Sequence, residues 1–373
     1  MQSILVLRAI AFLLAATVPV LSIDTGFSGL STLPDRFPSK QGFVALNRDF
    51  PGTGVDPAQI VVEGDVTSAP VRSAIDQLKA SLAGQDAFGP STQEQSKSGD
   101  LVLLSVPIAG DADGPEATSA IRDLRADLIP QAFGDLETTV LVGGTTAENV
   151  DYFDILGNWL PIVFAFVLGL SFILLTVAFR SIVIPAVAIA LNLLSVGAAY
   201  GLLVLVFQKG IGNELFGFQQ ADTIEAWVPL FLFSVLFGLS MDYQVFLLSR
   251  IKERYMQTGD TAGSVAFGVG STARLITGAA LIIIAVFSGF AAGDLIMFQQ
   301  MGFGVGVALL VDATIVRCIL VPASMKLLGE RNWYLPSWLN WLPDVHVEGH
   351  ASAELPAPPT NKPPKAPAPV PTA

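Results

Sequence analysis

Five apolar runs dominate the second half of the chain, at about residues 159–179, 182–207, 228–249, 273–292 and 301–328, separated by short polar breaks. Each has roughly the 20 residues that carry a helix across about 30 Å of hydrocarbon. A sixth run, "ILVLRAIAFLLAATVPVLSI" at residues 4–23, stands apart near the start. Its flank "MQS" is uncharged, Arg8 interrupts it, and no A-x-A cleavage site follows. These features predict a retained span rather than a cleaved leader. The expected layout is six spans divided 1 + 5.

Between the first and second runs the period changes. "AQIVVEGDV", "DLVLLSVPI" and "ETTVLVGGT" read as strands. "FPSKQGFVALNRDF", "APVRSAIDQLKASLA" and "PEATSAIRDLRADLIP" have the spacing of amphipathic helices. A weaker strand signal lies within 86–97. Strand–helix–strand twice over predicts a small α+β layer of the split β-α-β type. The predicted organisation is a first transmembrane helix over 1–23, the α+β domain over 24–150, transmembrane helices two to six over 151–330, and a tail over 331–373. From about residue 343 the tail is rich in Pro and Ala and predicts disorder.

Composition supports a membrane setting. The 373 residues are 52% hydrophobic and 14% charged, against about 25% charged in soluble domains. The net charge is −12, and residues 24–154 hold 20 of the 32 acids but only 8 of the 20 bases. That acidity argues against a nucleic-acid partner. Cys318 is the one cysteine, so no intrachain disulfide is possible. His346 and His350 both lie in the tail, and their "HVEGH" spacing reads as a solvated coincidence rather than a metal site. No G-x-x-x-x-G-K-[ST] motif occurs, so ATP hydrolysis is not expected; the expected driving force is a proton gradient, with no cofactor.

Lys and Arg in the short loops set the expected orientation. Arg180, Arg250, Lys252, Arg254, Arg274, Lys326 and Arg331 lie on one side. Lys209, Glu214, Asp222, Glu225 and Asp294 lie on the other. Both termini are therefore predicted in the cytoplasm, with the α+β domain outside. Trp159 and Trp227 fall at the outer ends of spans, where aromatic belts sit.

Two acids interrupt the apolar runs. In "FGLSMDYQVFLLSRIKERY", Asp242 lies about 20 Å along a helix that starts near Pro229. A charged carboxylate at that depth costs on the order of 2.5–3.5 kcal/mol on insertion scales. Such acids face a bundle interior and mark ion pathways, so Asp242 is the expected proton carrier. Tyr243 points about 100° away around the helix and is better placed to serve a neighbouring helix than Asp242 itself. Asp312, in "VALLVDATIVRCILVP", either joins a relay or fixes the sixth span to a neighbour. Arg317 lies about 140° from it on an α-helix, so the two are not expected to pair, and Arg317 is expected to snorkel toward the cytoplasm. The "GFGVGVA" run with Gly302, Gly304 and Gly306 follows no strand, and so predicts close helix packing rather than a dinucleotide loop.

The stretches "FGLSMDYQVFLLSRIKERY", "FQKGIGNELFGFQ", "GFGVGVALLVDATIVRCILVPASMKLLGERNWYLP" and "STLPDRFPSKQGF" resemble the MmpL-type (mycobacterial membrane protein, large) branch of the resistance–nodulation–division (RND) transporters, in particular the C-terminal half of such a protein. The resemblance implies half of an RND fold: a polytopic α-helical membrane protein with six helices and one extracytoplasmic, porter-like α+β domain. It implies proton antiport in the cell inner membrane, exporting lipids or other hydrophobic molecules. It also maps a proton-relay Asp–Tyr pair onto Asp242 and Tyr243, opposite an equivalent pair on a second half. That half is expected from a second copy or a separate chain. Gln244 stands where the family motif has Glu, which changes the local charge. The alternative readings are a truncated, non-transporting scaffold or lipid sensor, and an intramembrane aspartyl protease using Asp242 and Asp312. The order "MDY" and the "LLV" before Asp312 argue against the protease, so no enzymatic activity is expected.

Overall fold

A computed structural model describes residues 2–29, 32–50, 57–134 and 136–343. Among these described residues, six helices are long and apolar enough to cross a membrane: Ile4–Ser22, Thr145–Phe179, Val183–Gln208, Val228–Thr258, Thr261–Ala291 and Ile296–Trp333. They are the first to sixth spans below, and the protein is a multi-pass, mostly helical membrane protein. Several spans outrun their apolar runs, because a nucleated helix continues into polar sequence while the apolar pattern marks only its length in hydrocarbon. Thus the second span starts at Thr145, and the expected domain boundary at 150/151 falls inside one uninterrupted helix. The fifth span starts at Thr261, where Asp260 caps it by accepting from the amides of Ala262 (2.9 Å) and Gly263 (3.1 Å).

The α+β layer holds the helices α1 (Pro38–Asp49), α2 (Ala69–Ala83) and α3 (Pro115–Asp123). Its strands are β2 (Ala58–Glu63), β3 (Thr92–Gln95), β4 (Leu101–Val106) and β5 (Thr139–Gly143). The short strands β1 (Thr25–Gly26) and β6 (Ile224–Glu225) pair separately. The four-stranded sheet runs β3-β4-β2-β5, antiparallel throughout, with Ile60 facing both Leu104 and Val142. This order interleaves two β-α-β units, and β3 is the strand only weakly signalled within 86–97. One face of the sheet is buried, as strict alternation requires. Ile60, Val62, Val102, Leu104 and Val106 pack in one core with Ile75, Leu78 and Leu82 of α2 and Ile121 of α3. Arg122 pairs with Asp154 at 2.7 Å and Arg125 with Asp151 at 2.5 Å. Both pairs fasten α3 and the turn after it to the start of the second span.

Within the membrane bundle the first span packs on the third at Gly201. A Cβ there would run into the carbonyl oxygen of Ala16, so only glycine fits, and Gly197 one turn earlier lies against Thr17. The small-x-x-x-small spacing lets the two backbones approach. Gly302 plays the same part on the sixth span, where a Cβ would strike the backbone of Phe287 and Ala291. Gly304 lies against Leu203 and Leu232, whereas Gly306 faces open space, so the packing expected of the glycine run holds for two of its three members.

The tail expected from residue 331 begins later. Asn332 is buried, its carbonyl accepts from Ser181 Oγ (2.6 Å), and its side chain donates to Met325 O (2.6 Å). Trp333 stacks on Tyr255 with centroids 4.8 Å apart. These contacts hold the end of the sixth span to the cytoplasm-predicted ends of the third and fourth. Residues 344–373, including His346 and His350, lie outside the described residues.

Candidate functional site

Asp312 opens a π-helical segment, Asp312–Leu320, in the middle of the sixth span. Ordinary α-helix geometry separates Asp312 from Arg317 and underlies the expectation that they do not pair. The structure overturns that. A π-helix hydrogen-bonds i to i+5 and takes more residues per turn, which swings position 317 back toward the face of position 312. Arg317 Nε donates to Asp312 Oδ2 at 2.9 Å, and each residue is 3% exposed. Arg317 is therefore locked inside the bundle and does not snorkel.

The pair is embedded in a network across three spans. Arg317 Nη2 donates to the backbone oxygen of Ser240 and to its Oγ (2.9 Å) on the fourth span. Ser240 Oγ donates to Asn192 Oδ1 on the third span at 2.8 Å. The guanidinium also lies 5.7 Å from the centre of the Tyr243 ring, within cation–π range. Asp312 Oδ1, Arg317 Nη1 and Asn192 Nδ2 are buried without a partner among the described residues. An unmatched buried polar atom costs about 1–3 kcal/mol. A network that tolerates three of them is a poor packing device, which makes it a candidate for function.

Asp242 is placed otherwise. It is exposed on the outer face of the six-span bundle and makes no hydrogen bond or ion pair among the described residues. Sequence reasoning expected an acid facing a bundle interior opposite a second half, and Asp242 faces away from the interior of this six-span bundle. The face it does occupy is distinctive: Ser234, Gly238 and Asp242 are the exposed residues along this part of the fourth span, spaced one turn apart. A Cβ on Gly238 would meet nothing within 4 Å. Small and polar residues in a stripe give a helix partner close access. Tyr243 points inward to Arg317 and is half-buried, and Gln244 is buried. The sequence neighbours Asp242 and Tyr243 thus link the outer face to the inner network. Asn192, Ser240 and Arg317 escaped sequence reasoning as site residues. The available signal was a polar residue in each of the runs "IALNLLSV" and "FGLSMD" and an arginine inside "TIVRCIL".

A family model described as the MMPL family matches residues 31–342. The chain is 39% identical over 315 residues to the mycolic acid-containing lipids exporter MmpL11 of Mycolicibacterium smegmatis, covering 83% of this chain and 33% of that protein. It is 37% identical over 350 residues to the heme uptake protein MmpL11 of Mycobacterium tuberculosis H37Rv, covering 92% and 36%. It is 30% identical over 335 residues to the trehalose monomycolate exporter MmpL3 of Mycolicibacterium smegmatis, covering 86% and 32%. The chain therefore spans about a third of the length of these curated relatives.

Proposed function

The chain belongs to the MMPL family, and on that premise we propose that it acts as a proton-driven exporter of lipids or other hydrophobic molecules, working with a matching second half. The observation that carries this reading is the fourth span. It bears a carboxyl without a partner among the described residues on its small-residue outer face and, one residue on, a phenol in contact with a buried ion pair. On this reading the outer face meets the corresponding helix of the second half, which shields Asp242 from lipid and surrounds it with that half's polar groups. Asp242 takes a proton from one side and delivers it to the other. Tyr243 relays or orients that proton, and the Asp312–Arg317 pair fixes Tyr243 and senses the change in charge. Moving one charge across the membrane supplies about 2.3 kcal/mol per 100 mV, enough to bias a helix rearrangement.

The relatives are named for mycolic acid-containing lipids, heme and trehalose monomycolate, which supports a large hydrophobic cargo. Two of the three support export. The α+β layer, read as a porter-like domain outside the inner membrane with both termini in the cytoplasm, would pass cargo outward. The test is cargo efflux from proteoliposomes with and without an imposed proton gradient. Wild type should respond to the gradient, and Asp242→Asn should insert normally but show no gradient-dependent efflux. Full efflux by Asp242→Asn contradicts the proposal.

A further inference from the structure

The chain enters the α+β layer through β1, which pairs in parallel with β6 on the loop between the third and fourth spans. The amides of Ile224 and Ala226 donate to the carbonyls of Asp24 and Gly26, each at 2.8 Å. Two residues per strand cannot hold together alone. The ribbon is pinned by side chains instead. Glu225, 4% exposed, accepts from the Ser28 amide at 2.8 Å. Its own amide donates to Gln300 Oε1 at 2.8 Å, and Gln300 Nε2 donates to Thr223 O at 3.1 Å. Gln300 is fully buried on the first turns of the sixth span. One glutamate and one glutamine thus join the root of the α+β layer to the outer ends of the fourth and sixth spans. Those two spans carry Asp242 and Tyr243 about 21 Å past the start of the fourth span, and Asp312 and Arg317 about 18 Å or more past Gln300, at about 1.5 Å per residue.

We propose that Glu225 and Gln300 are positioning residues that transmit movement of the fourth and sixth spans to the α+β layer through the β1–β6 ribbon. The purpose of this coupling rests on the transporter reading above, but the contact itself does not. Glu225 also gives the ribbon a proton dependence. It is faced by Ser28 just after β1, by Asp113 from the loop after β4, by Trp227 just before the fourth span and by Gln300 from the sixth. Asp111 lies beside Asp113: a Cβ on Gly29 would sit 2.8 Å from carboxylate oxygens of both. Burial, and then the Asp113 carboxylate, hold Glu225 above the usual carboxylate range, against the pull of the Ser28 hydrogen bond. A folded-state value raised in this way means that the pinned ribbon is fully stable below the ordinary glutamate range. It loosens as pH rises through the raised value.

The test is hydrogen–deuterium exchange of residues 23–29 and 222–227 in the full chain in nanodiscs, corrected for intrinsic pH effects, alongside proteoliposome efflux. Wild-type exchange should rise with pH. Glu225→Gln, which keeps an acceptor without the charge, should hold the ribbon protected across that range. Gln300→Ala should raise ribbon exchange about tenfold and slow maximal efflux while leaving the cargo concentration for half-maximal rate unchanged. Ribbon exchange within about twofold of wild type in Gln300→Ala, or the same pH profile in Glu225→Gln and wild type, overturns the inference. Normal efflux by Asp242→Asn would remove the transporter reading and leave the exchange result standing.

Discussion

Asp312 and Asp242 lie on spans that pack together, yet their surroundings are opposite. Asp312 is 3% exposed and held by Arg317, itself tied to Ser240. Asp242 stands on an outer face with no partner among the described residues. The contrast separates two ways a membrane acid is kept. A buried acid with a buried cation is part of the fold, and removing either partner strands a charge. An acid on an outer face contributes nothing to the packing of its own bundle, so its presence is accounted for by what meets that face.

Breaking the inner pair should have the largest effect. Arg317→Ala leaves the Asp312 carboxylate buried alone and should lower stability by about 3–5 kcal/mol, read as a fall in thermal midpoint of the solubilised protein. An unchanged midpoint would show that Asp312 is not a buried charge. Neutralising both partners together, Asp312→Asn with Arg317→Gln, should recover most of that loss, because paired neutral groups avoid the stranded charge. Gradient-driven efflux should stay absent in this double variant. A double variant as unstable as Arg317→Ala would place the damage in packing instead.

The outer face should respond in the reverse sense. Asp242→Asn should change stability by no more than about 0.5 kcal/mol while removing efflux. Gly238→Phe should likewise leave the six-span bundle intact, because a side chain there meets open space. It should however reduce the mass of the solubilised complex by blocking the proposed second half, and a complex of unaltered mass would detach that face from assembly. The smallest effect is expected at the exposed Arg36–Asp294 ion pair between the start of the α+β layer and the loop before the sixth span. Asp294→Asn should lower the thermal midpoint least of these variants, and less still at high salt.

The same contrast describes what the amino-acid sequence made legible. The six spans and the split β-α-β sheet rest on local patterns, apolar length and strict alternation, so both were visible before the structure. The Asp312–Arg317 pair was hidden because it depends on a π-helical turn, and neither residue's spacing announces one. The Gly201 contact with Ala16 joins positions far apart in the chain. Which side of the fourth span carries Asp242 was hidden for a related reason. The fourth span is apolar around most of its circumference, so periodicity alone does not show which side faces the bundle. The folded segment after residue 331 was hidden by composition, since it is held by the stacking of Trp333 on Tyr255 and by the buried Asn332 rather than by a repeating pattern.

The most direct test of the assignment is carbodiimide labelling of the membrane-embedded protein, since the reagent partitions into lipid and modifies protonated carboxyl groups. Peptide mass spectrometry across a pH series reads each acid separately. The account predicts label on Asp242, with Asp312 unlabelled behind its arginine. Label on Asp312 with none on Asp242 at any pH would contradict it.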